Sequence, residues 1–483
     1  MNDRLLLKPR RRPLPTAVAL TLLLAACAVG PDFTKPQPEL PDRWSGPAVA
    51  DQLPPAADAP DVLARWWMHF DDPTLDRLIR KALAANPDIR LAEARLRQAR
   101  AARGIAAGGL GPALEGSGSY RRSRSGGASG GSGEIIGDQY QAGFDAIWEI
   151  DLFGGRRRDL EAADADLQAA IESHRDARVS LIAEVARNYI GLRALQQQLV
   201  ITRRNLSAQQ HSTDLTRQRF EGGFVSALDV ANAQAQAATT AAQLPALEAQ
   251  ARQAIHSLSV LLGAPPADLS AELSPEAAIP IAPPAVPAGV PSDLLRRRAD
   301  IRAAEAGIHA ATARIGVAAA ELFPKFTLSG ALGYQSDDFG SWFDWANRFW
   351  SLGPSVRWRL FETGRIRAGV ELQRALQEQE VILYQQIVLT ALREVEDALI
   401  AAAKEQARRQ TLSEAVAANR KAVRLAQLLY TEGQTDFLNV LQAQRALYTS
   451  EDALVQSTRD VASNLVALYK ALGGGWEALE RLE

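Results

Sequence analysis

Five histidines, His69, His174, His211, His256 and His309, are the side chains best suited to metal binding or proton transfer near neutral pH. None pairs with another at ligand spacing, so they read as surface or helix-face residues. The chain has no glycine loop ending in Gly-Lys-Ser or Gly-Lys-Thr to cradle phosphate, and no Gly-x-Ser-x-Gly turn to present a nucleophile. Its only methionines are Met1 and Met68, too few for a thioether copper relay. The expectation is a protein that is not an enzyme and holds no metal or cofactor. The best-defined chemistry belongs to Cys27, the single cysteine of 483 residues. A lone thiol can form no internal disulfide. Behind Leu24-Ala25-Ala26 it resembles the lipid-accepting cysteine of bacterial lipoproteins, where small residues let a peptidase reach the bond before it. The plainer alternative is an ordinary leader with a chance cysteine.

Arg4, Lys8, Arg10, Arg11 and Arg12 precede an apolar run from Leu14 to Ala26, the pattern of a signal peptide over residues 1–26. That run is shorter than the roughly 20 apolar residues of a spanning helix, and no later stretch qualifies. Leu24 to Cys27 resembles the lipobox of bacterial lipoproteins, which would make Cys27 the first mature residue. Ala28 and Val29 follow it, not the aspartate typical of inner-membrane retention, so the expected location is the outer membrane of a Gram-negative cell. Several acyl chains anchor stably where one holds only marginally. The 54 basic and 56 acidic residues leave a net charge of −2, no global field for nucleic acid. Much of the 47% hydrophobic content is alanine, which suits long, slim helices better than a thick core.

The chain is a tandem duplication. Asn86-Pro87-Asp88-Ile89-Arg90 returns as Arg298-Ala299-Asp300-Ile301-Arg302, and Asp151-Leu152-Phe153-Gly154-Gly155-Arg156 answers to Arg359-Leu360-Phe361-Glu362-Thr363-Gly364-Arg365. Gly222-Gly223 with Leu228-Asp229-Val230 answers to Glu432-Gly433 with Leu438-Asn439-Val440, at a constant offset of 210. The reading divides the chain into a proline-rich tether (27–62), a first repeat (63–263), a proline-rich linker (264–292), a second repeat (293–473) and a tail (474–483). Each repeat holds a helix, a hairpin (about 112–153 and 324–361), a long helix (156–220 and 365–430), a tip (221–227 and 431–437) and a return helix.

The hairpins alternate with period two. Tyr140, Ala142, Phe144, Ala146, Trp148 and Ile150 share one face; so do Phe326, Leu328, Gly330, Leu332 and Tyr334, and again Trp350, Leu352, Pro354, Val356, Trp358 and Leu360. The strand near Leu114 to Arg122 is the weakest. Loops 123–133 and 336–347 read as glycine, serine and acid rich tips facing solvent. A soluble sheet with one buried face alternates likewise; the leader and four strands without another packing partner favour a membrane wall, with Tyr120, Tyr140, Phe144, Trp148, Tyr334, Trp350 and Trp358 as interface aromatics. Four strands leave two edges unpaired in hydrocarbon, so identical copies must close the wall. Eight strands would enclose little but side chains and twelve could enclose water. The long helices carry apolar stripes, Ile182, Val185, Tyr189 and Leu192 in one, Tyr384, Val388, Leu392, Val395 and Leu399 in the other. About 65 residues make a rod of roughly 100 Å. A dimeric coiled coil is the alternative.

Together these residues resemble the TolC-like outer-membrane efflux family, in its lipoprotein branch (NodT or OprM type). The most specific matches are Cys27-Ala28-Val29-Gly30-Pro31-Asp32-Phe33 and the tips Arg219-Phe220-Glu221-Gly222-Gly223 and Tyr430-Thr431-Glu432-Gly433. The resemblance implies a mixed α and β membrane protein, a homotrimer with a twelve-stranded β-barrel continuous with a long α-helical barrel. It further implies partnership with outer-membrane lipid, a periplasmic adaptor (membrane fusion protein) and an inner-membrane transporter of RND type. The function implied is passive exit of substrates, gated at the periplasmic tips; a type I protein-secretion duct, or a periplasmic coiled-coil adaptor that never inserts, are the alternatives. At the tips the resemblance marks Gly222, Gly223, Asp229, Tyr430, Gly433, Asp436, Asn439 and Gln442. Tyr430 and Asp229 match positions of an entrance constriction, while Asn439 and Gln442 stand where relatives often carry aspartate. Ser226 with Asp229, and Asp436 with Asn439, also have simple N-cap spacing.

Overall fold

The computed structural model describes residues 28–45, 63–125, 135–281 and 291–476. Cys27 and the leader lie outside the described residues. Contacts divide the chain into two units. The first takes in Arg97–Ala169 and Glu305–Leu383 with the N-terminal residues to Pro36; the second takes in Gln37–Leu96, Ala170–Ala304 and Tyr384–Glu483. In chain order the elements are α1 (Pro73–Ala85), α2 (Pro87–Gly108), β1 (Ala113–Ser125), β2 (Ile135–Ile150), α3 (Gly155–Glu221), α4 (Ala227–Ala241) and α5 (Gln243–Leu261). The second repeat adds α6 (Ala299–Ala320), β3 (Lys325–Ser336), β4 (Arg348–Arg357), α7 (Thr363–Thr431) and α8 (Phe437–Ala471). No described helix is long and apolar enough to cross a membrane.

The first unit is built on a four-stranded antiparallel meander in chain order. Its register aligns one set of residues from every strand: Leu114, Ala146, Gly330 and Leu352 form one row, and Gly116, Phe144, Leu332 and Trp350 the next. The stretch Ala28 to Lys35 is laid along this unit. The Val29 amide donates to the Phe153 carbonyl at 3.0 Å, and the largely buried Arg158 holds Asp32 at 2.6 Å and Glu161 at 2.8 Å. Phe33 stacks on His309 at 4.4 Å. A side chain on Gly30, whose φ is +97°, would lie 2.4 Å from the Gly316 Cα, so the two backbones touch directly.

The second unit holds the apolar core. Leu75, Leu78 and Ile79 of α1, Val185, Tyr189 and Leu192 of α3, Tyr384, Val388 and Val395 of α7, and Leu465 and Tyr469 of α8 are all buried, each contributing about 1.5–3 kcal/mol when fully covered. Trp66 stacks on Tyr469 at 5.1 Å. The duplication shows at the helix starts. Asn86 accepts from the Asp88 and Ile89 amides and donates to the Leu261 carbonyl at 2.9 Å; its counterpart Arg298 pairs with Asp300 and donates to the Ala471 carbonyl at 3.1 Å. α6 therefore begins at Ala299 with an arginine clamp where α2 begins at Pro87 with an asparagine cap, and both run 22 residues. Further along, the buried Glu451 of α8 gathers Arg204 of α3 at 2.6 Å and Arg420 of α7 at 2.9 Å, tying three helices to one carboxylate.

Candidate functional site

Two places carry the sequence-predicted residues, the sheet in the first unit and the helix tips in the second. On the sheet, Phe144, Trp148, Leu114, Leu332, Trp350, Leu352 and Val356 are exposed although they are large apolar side chains. An uncovered apolar face of this extent calls for lipid or another subunit. The opposite face carries Glu115, Asp145, Glu149, Thr327, Ser329, Ser351, Ser355 and Arg357 in matching register, interrupted by Ile147 and Phe349. The alternation is that of a wall with oil on one side and water on the other.

Of the predicted interface aromatics, Tyr120 stacks on Tyr140 at 4.9 Å at the loop end of the sheet. Trp358 corrects the sequence reading, because β4 ends at Arg357 and leaves it beyond the strand. Its indole N–H donates to the Leu322 carbonyl at 3.1 Å. Trp148 does the same in the first repeat, donating to the Leu110 carbonyl at 3.0 Å. Each repeat thus pins one tryptophan where a helix runs into its first strand, an amphipathic ring with its polar edge satisfied. The loop at 336–347 also differs from the expectation of a small, polar tip. Phe339 and Trp342 pack on Tyr140 at 5.4 and 5.7 Å, and Phe343 packs on Tyr334 at 5.7 Å. Serine, glycine and aspartate between them masked that aromatic cluster, which the spacing of Phe339, Trp342, Phe343 and Trp345 does announce.

At the tips, both long helices end in the same hydrogen-bonded turn. After α3, the Phe224 amide donates to the Arg219 carbonyl at 2.8 Å and the Gly223 amide to the Phe220 carbonyl at 2.9 Å; after α7, Gln434 donates to Leu429 at 2.8 Å and Gly433 to Tyr430 at 3.1 Å. Gly223 and Gly433 sit at φ +79° and +73°, which a side chain would resist by about 1–2 kcal/mol. A side chain on Gly222 would lie 2.9 Å from the Phe224 ring. Ser226 and Asp229 form a complete capping box, with the Asp229 carboxylate accepting the Ser226 amide at 3.1 Å and its hydroxyl at 2.8 Å. Asp436 occupies the matching position of α8 without a side-chain cap bond. Asn439 turns instead to the Thr435 hydroxyl at 2.6 Å, and Gln442 is exposed.

Tyr430 is 3% exposed, in a small core with Ala233, Phe437, Val440 and Leu441. Its hydroxyl donates to Thr216 of α3 at 3.2 Å, and its ring meets Phe437 edge-on at 5.6 Å. The structure therefore joins Tyr430 to the first tip through Thr216, while the Asp229 carboxylate is engaged locally with Ser226. Arg219, named in the sequence only as part of the tip motif and given no role there, completes the junction. Its Nη1 donates to the carbonyls of Tyr430 at 2.6 Å and Thr431 at 3.0 Å, and its guanidinium lies 4.8 Å over the Tyr430 ring. One cation of the first repeat thus caps the last carbonyls of the second repeat's long helix, where the helix dipole favours positive charge. A basic residue in the last turn before a glycine was the available signal.

The family model described as outer membrane efflux protein matches residues 78–264 and 290–474. The chain belongs to the outer membrane efflux protein family. It is 33% identical to Nodulation protein T of Rhizobium leguminosarum bv. viciae over 470 residues, 96% of this chain and 93% of the relative. It is also 33% identical to the toluene efflux pump outer membrane protein TtgF of Pseudomonas putida, covering 95% and 96%. Among solved structures, the outer-membrane channel OprN superposes with a TM-score of 0.88 at 38% identity, over 93% of this chain and all of that one. The open state of the Neisseria gonorrhoeae MtrE outer membrane channel superposes at 0.80 with 28% identity, over 94% and 99%. As an outer membrane efflux protein, the chain has its exposed apolar sheet and its doubled helical plan accounted for by one architecture, β-barrel wall and α-barrel tunnel.

Proposed function

We propose that three copies of this chain form the exit duct of a tripartite efflux pump, closing twelve strands around a water-filled lumen. Substrate would arrive from an inner-membrane transporter of RND type through a periplasmic adaptor, and the duct would pass it without catalysis. The observation that carries this reading is the register-aligned apolar face of β1 to β4, whose outer strands β1 and β4 find no further strand among the described residues. In hydrocarbon each unsatisfied backbone group costs several kcal/mol, so such a sheet is stable only when other copies supply the missing strands. Leu372, Leu376 and Leu383 of α7, four and seven residues apart, are left uncovered by their own chain and suit a neighbouring helix. Lipid on Cys27 would hold the same copies to the membrane. The gate, in this reading, is the Arg219 and Tyr430 junction, which binds the two tips of each protomer into one body that moves together.

Mass and image symmetry of the detergent-solubilised particle test the assembly: a threefold particle with a central hole is expected, and a monodisperse monomer would overturn the reading. For the gate, Arg219→Gln combined with Tyr430→Phe should raise single-channel conductance in planar bilayers. Unchanged conductance would remove the gate from this junction.

A further inference from the structure

We propose that the loop-side rim of the sheet's membrane face binds the phosphate groups of an anionic glycolipid of the outer leaflet, through Arg122 and Arg348. The inference rests on the sheet being the membrane wall proposed above. Along that face the rows run from Ile150, Phe326 and Val356 at the helix end, through Phe144, Leu332 and Trp350, to Tyr120 and Tyr140 at the loop end. Ten residues of a strand, at about 3.4 Å each and the usual tilt of about 45°, rise roughly 25 Å, the height of the apolar band on outer-membrane barrels. The aromatic row then lies at the outer interface, and residues beyond it on the same face lie among headgroups.

Two of those residues are basic, Arg122 one row above Tyr120 and Arg124 one row above that; Arg348 opens β4 in the row of Tyr334, one row toward the helix end from Tyr120 and Tyr140, and Asp138, opposite Arg122, is the acidic strand residue beyond the aromatic row on the same face. The Arg122 side chain is 65% exposed and only 3.8 Å from Asp138, whose carboxylate already accepts the Tyr120 hydroxyl at 2.8 Å. Arg348 is fixed in place. Its guanidinium lies 4.2 Å over the exposed Trp345 ring and spends one N–H on the Trp345 carbonyl at 2.7 Å. A guanidinium placed over an aromatic ring keeps its remaining donors in a planar fork, the geometry that matches phosphate oxygens. The exposed side chains of Phe339, Phe343 and Trp345 offer apolar surface of the kind sugar rings cover. On the lumen side at this height stands Arg121, which serves as a control of equal charge.

The test is retention of lipid by the purified, detergent-solubilised protein, read by native mass spectrometry after incubation with bis-phosphorylated lipid A, its 1-dephospho form, or phosphatidylglycerol. Wild type should keep bis-phosphorylated lipid A in preference to both others. Arg122→Gln with Arg348→Gln should weaken retention about fivefold to tenfold, the scale of two exposed charge pairs, while Arg121→Gln leaves it unchanged. If the glutamine pair fails to assemble, Arg122→Lys with Arg348→Lys replaces it, keeping the charge but losing the fork, and should retain an intermediate amount. Equal retention by the variants, or no preference for the second phosphate, overturns the proposal. So does retention that disappears with EDTA but not with the arginine changes, since that outcome would assign the contact to a divalent ion on the loop acids Asp337 and Asp338. A wild type that never enters bilayers defeats the membrane-wall reading itself, whereas one that conducts yet keeps no lipid A defeats this inference alone.

Discussion

The turns after α3 and after α7 share a backbone, a left-handed glycine and a pair of closing hydrogen bonds, yet their side chains are divided between opposite tasks. The first turn exposes Phe224, 76% open to solvent, and fixes its outgoing helix with the Ser226 and Asp229 box. The second turn buries Tyr430 and Phe437, and starts α8 with no side-chain cap. Duplication gave two copies of one hairpin; divergence then made one the core and the other the clasp, with Arg219 reaching across to the carbonyls of the second turn. Where a turn repeats and its surroundings do not, the turn belongs to the fold and the surroundings to the task.

The contrast breaks most visibly in the core. Phe437→Ala should cost the tip about 3 kcal/mol, because a buried aromatic leaves a cavity, whereas Phe224→Ala should stay within about 0.5 kcal/mol. Hydrogen exchange of the amides at 222–240 and 430–445 separates the two: protection should collapse for the first variant and persist for the second. Equal effects would mean that the tips share one core evenly.

A smaller difference is expected at the caps. Asp229→Ala should destabilise the start of α4 by about 1 kcal/mol, seen as faster exchange over its first turn. Asp436→Ala removes no cap bond and should leave the start of α8 unchanged.

The smallest effect carries the contrast between repeats up the long helices. Burial, reinforced by Asp300, raises the carboxyl of Asp176 above the usual carboxylate range. At the corresponding place in α7 stand Gln385 and Gln386, both exposed. Between the ordinary and the raised value the folded protein holds a proton that the unfolded chain has released, so this group's contribution falls as pH rises through that window. Asp176→Asn should therefore raise the apparent melting temperature by about a degree or two at pH 7 and by nothing near pH 3. A gain that is the same at both pH values would show that the carboxyl's titration plays no part.

Much of this was legible in the residues. Period-two alternation needs only neighbours in sequence, so the oily face from Tyr140 to Ile150 could be read directly. The buried stripes were visible for the same reason at helical spacing, although Leu392 is only half covered and Ala391 fills its place. Gly223 and Gly433 announced their conformation through the constant offset. The parts that could not be read depend on partners far along the chain. Nothing near Tyr430 says that its hydroxyl will meet Thr216, 214 positions away, or that Arg219 will find carbonyls 211 and 212 positions on. The strand end at Arg357 was missed because alternation continues through Trp358 and Leu360 after the hydrogen bonds stop.

The meander keeps both of its edge strands for other copies, and that has a genetic reading. A wall sealed by three subunits is as sound as its worst seam, so a lesion confined to β1 or β4 spoils the sound copies it joins. With equal amounts of wild-type and damaged chain, random mixing leaves about one particle in eight wholly intact. Lesions on these two strands should behave as dominant alleles, while lesions of equal severity on β2 or β3, which harm only their own chain's folding and never reach assembly, should be recessive.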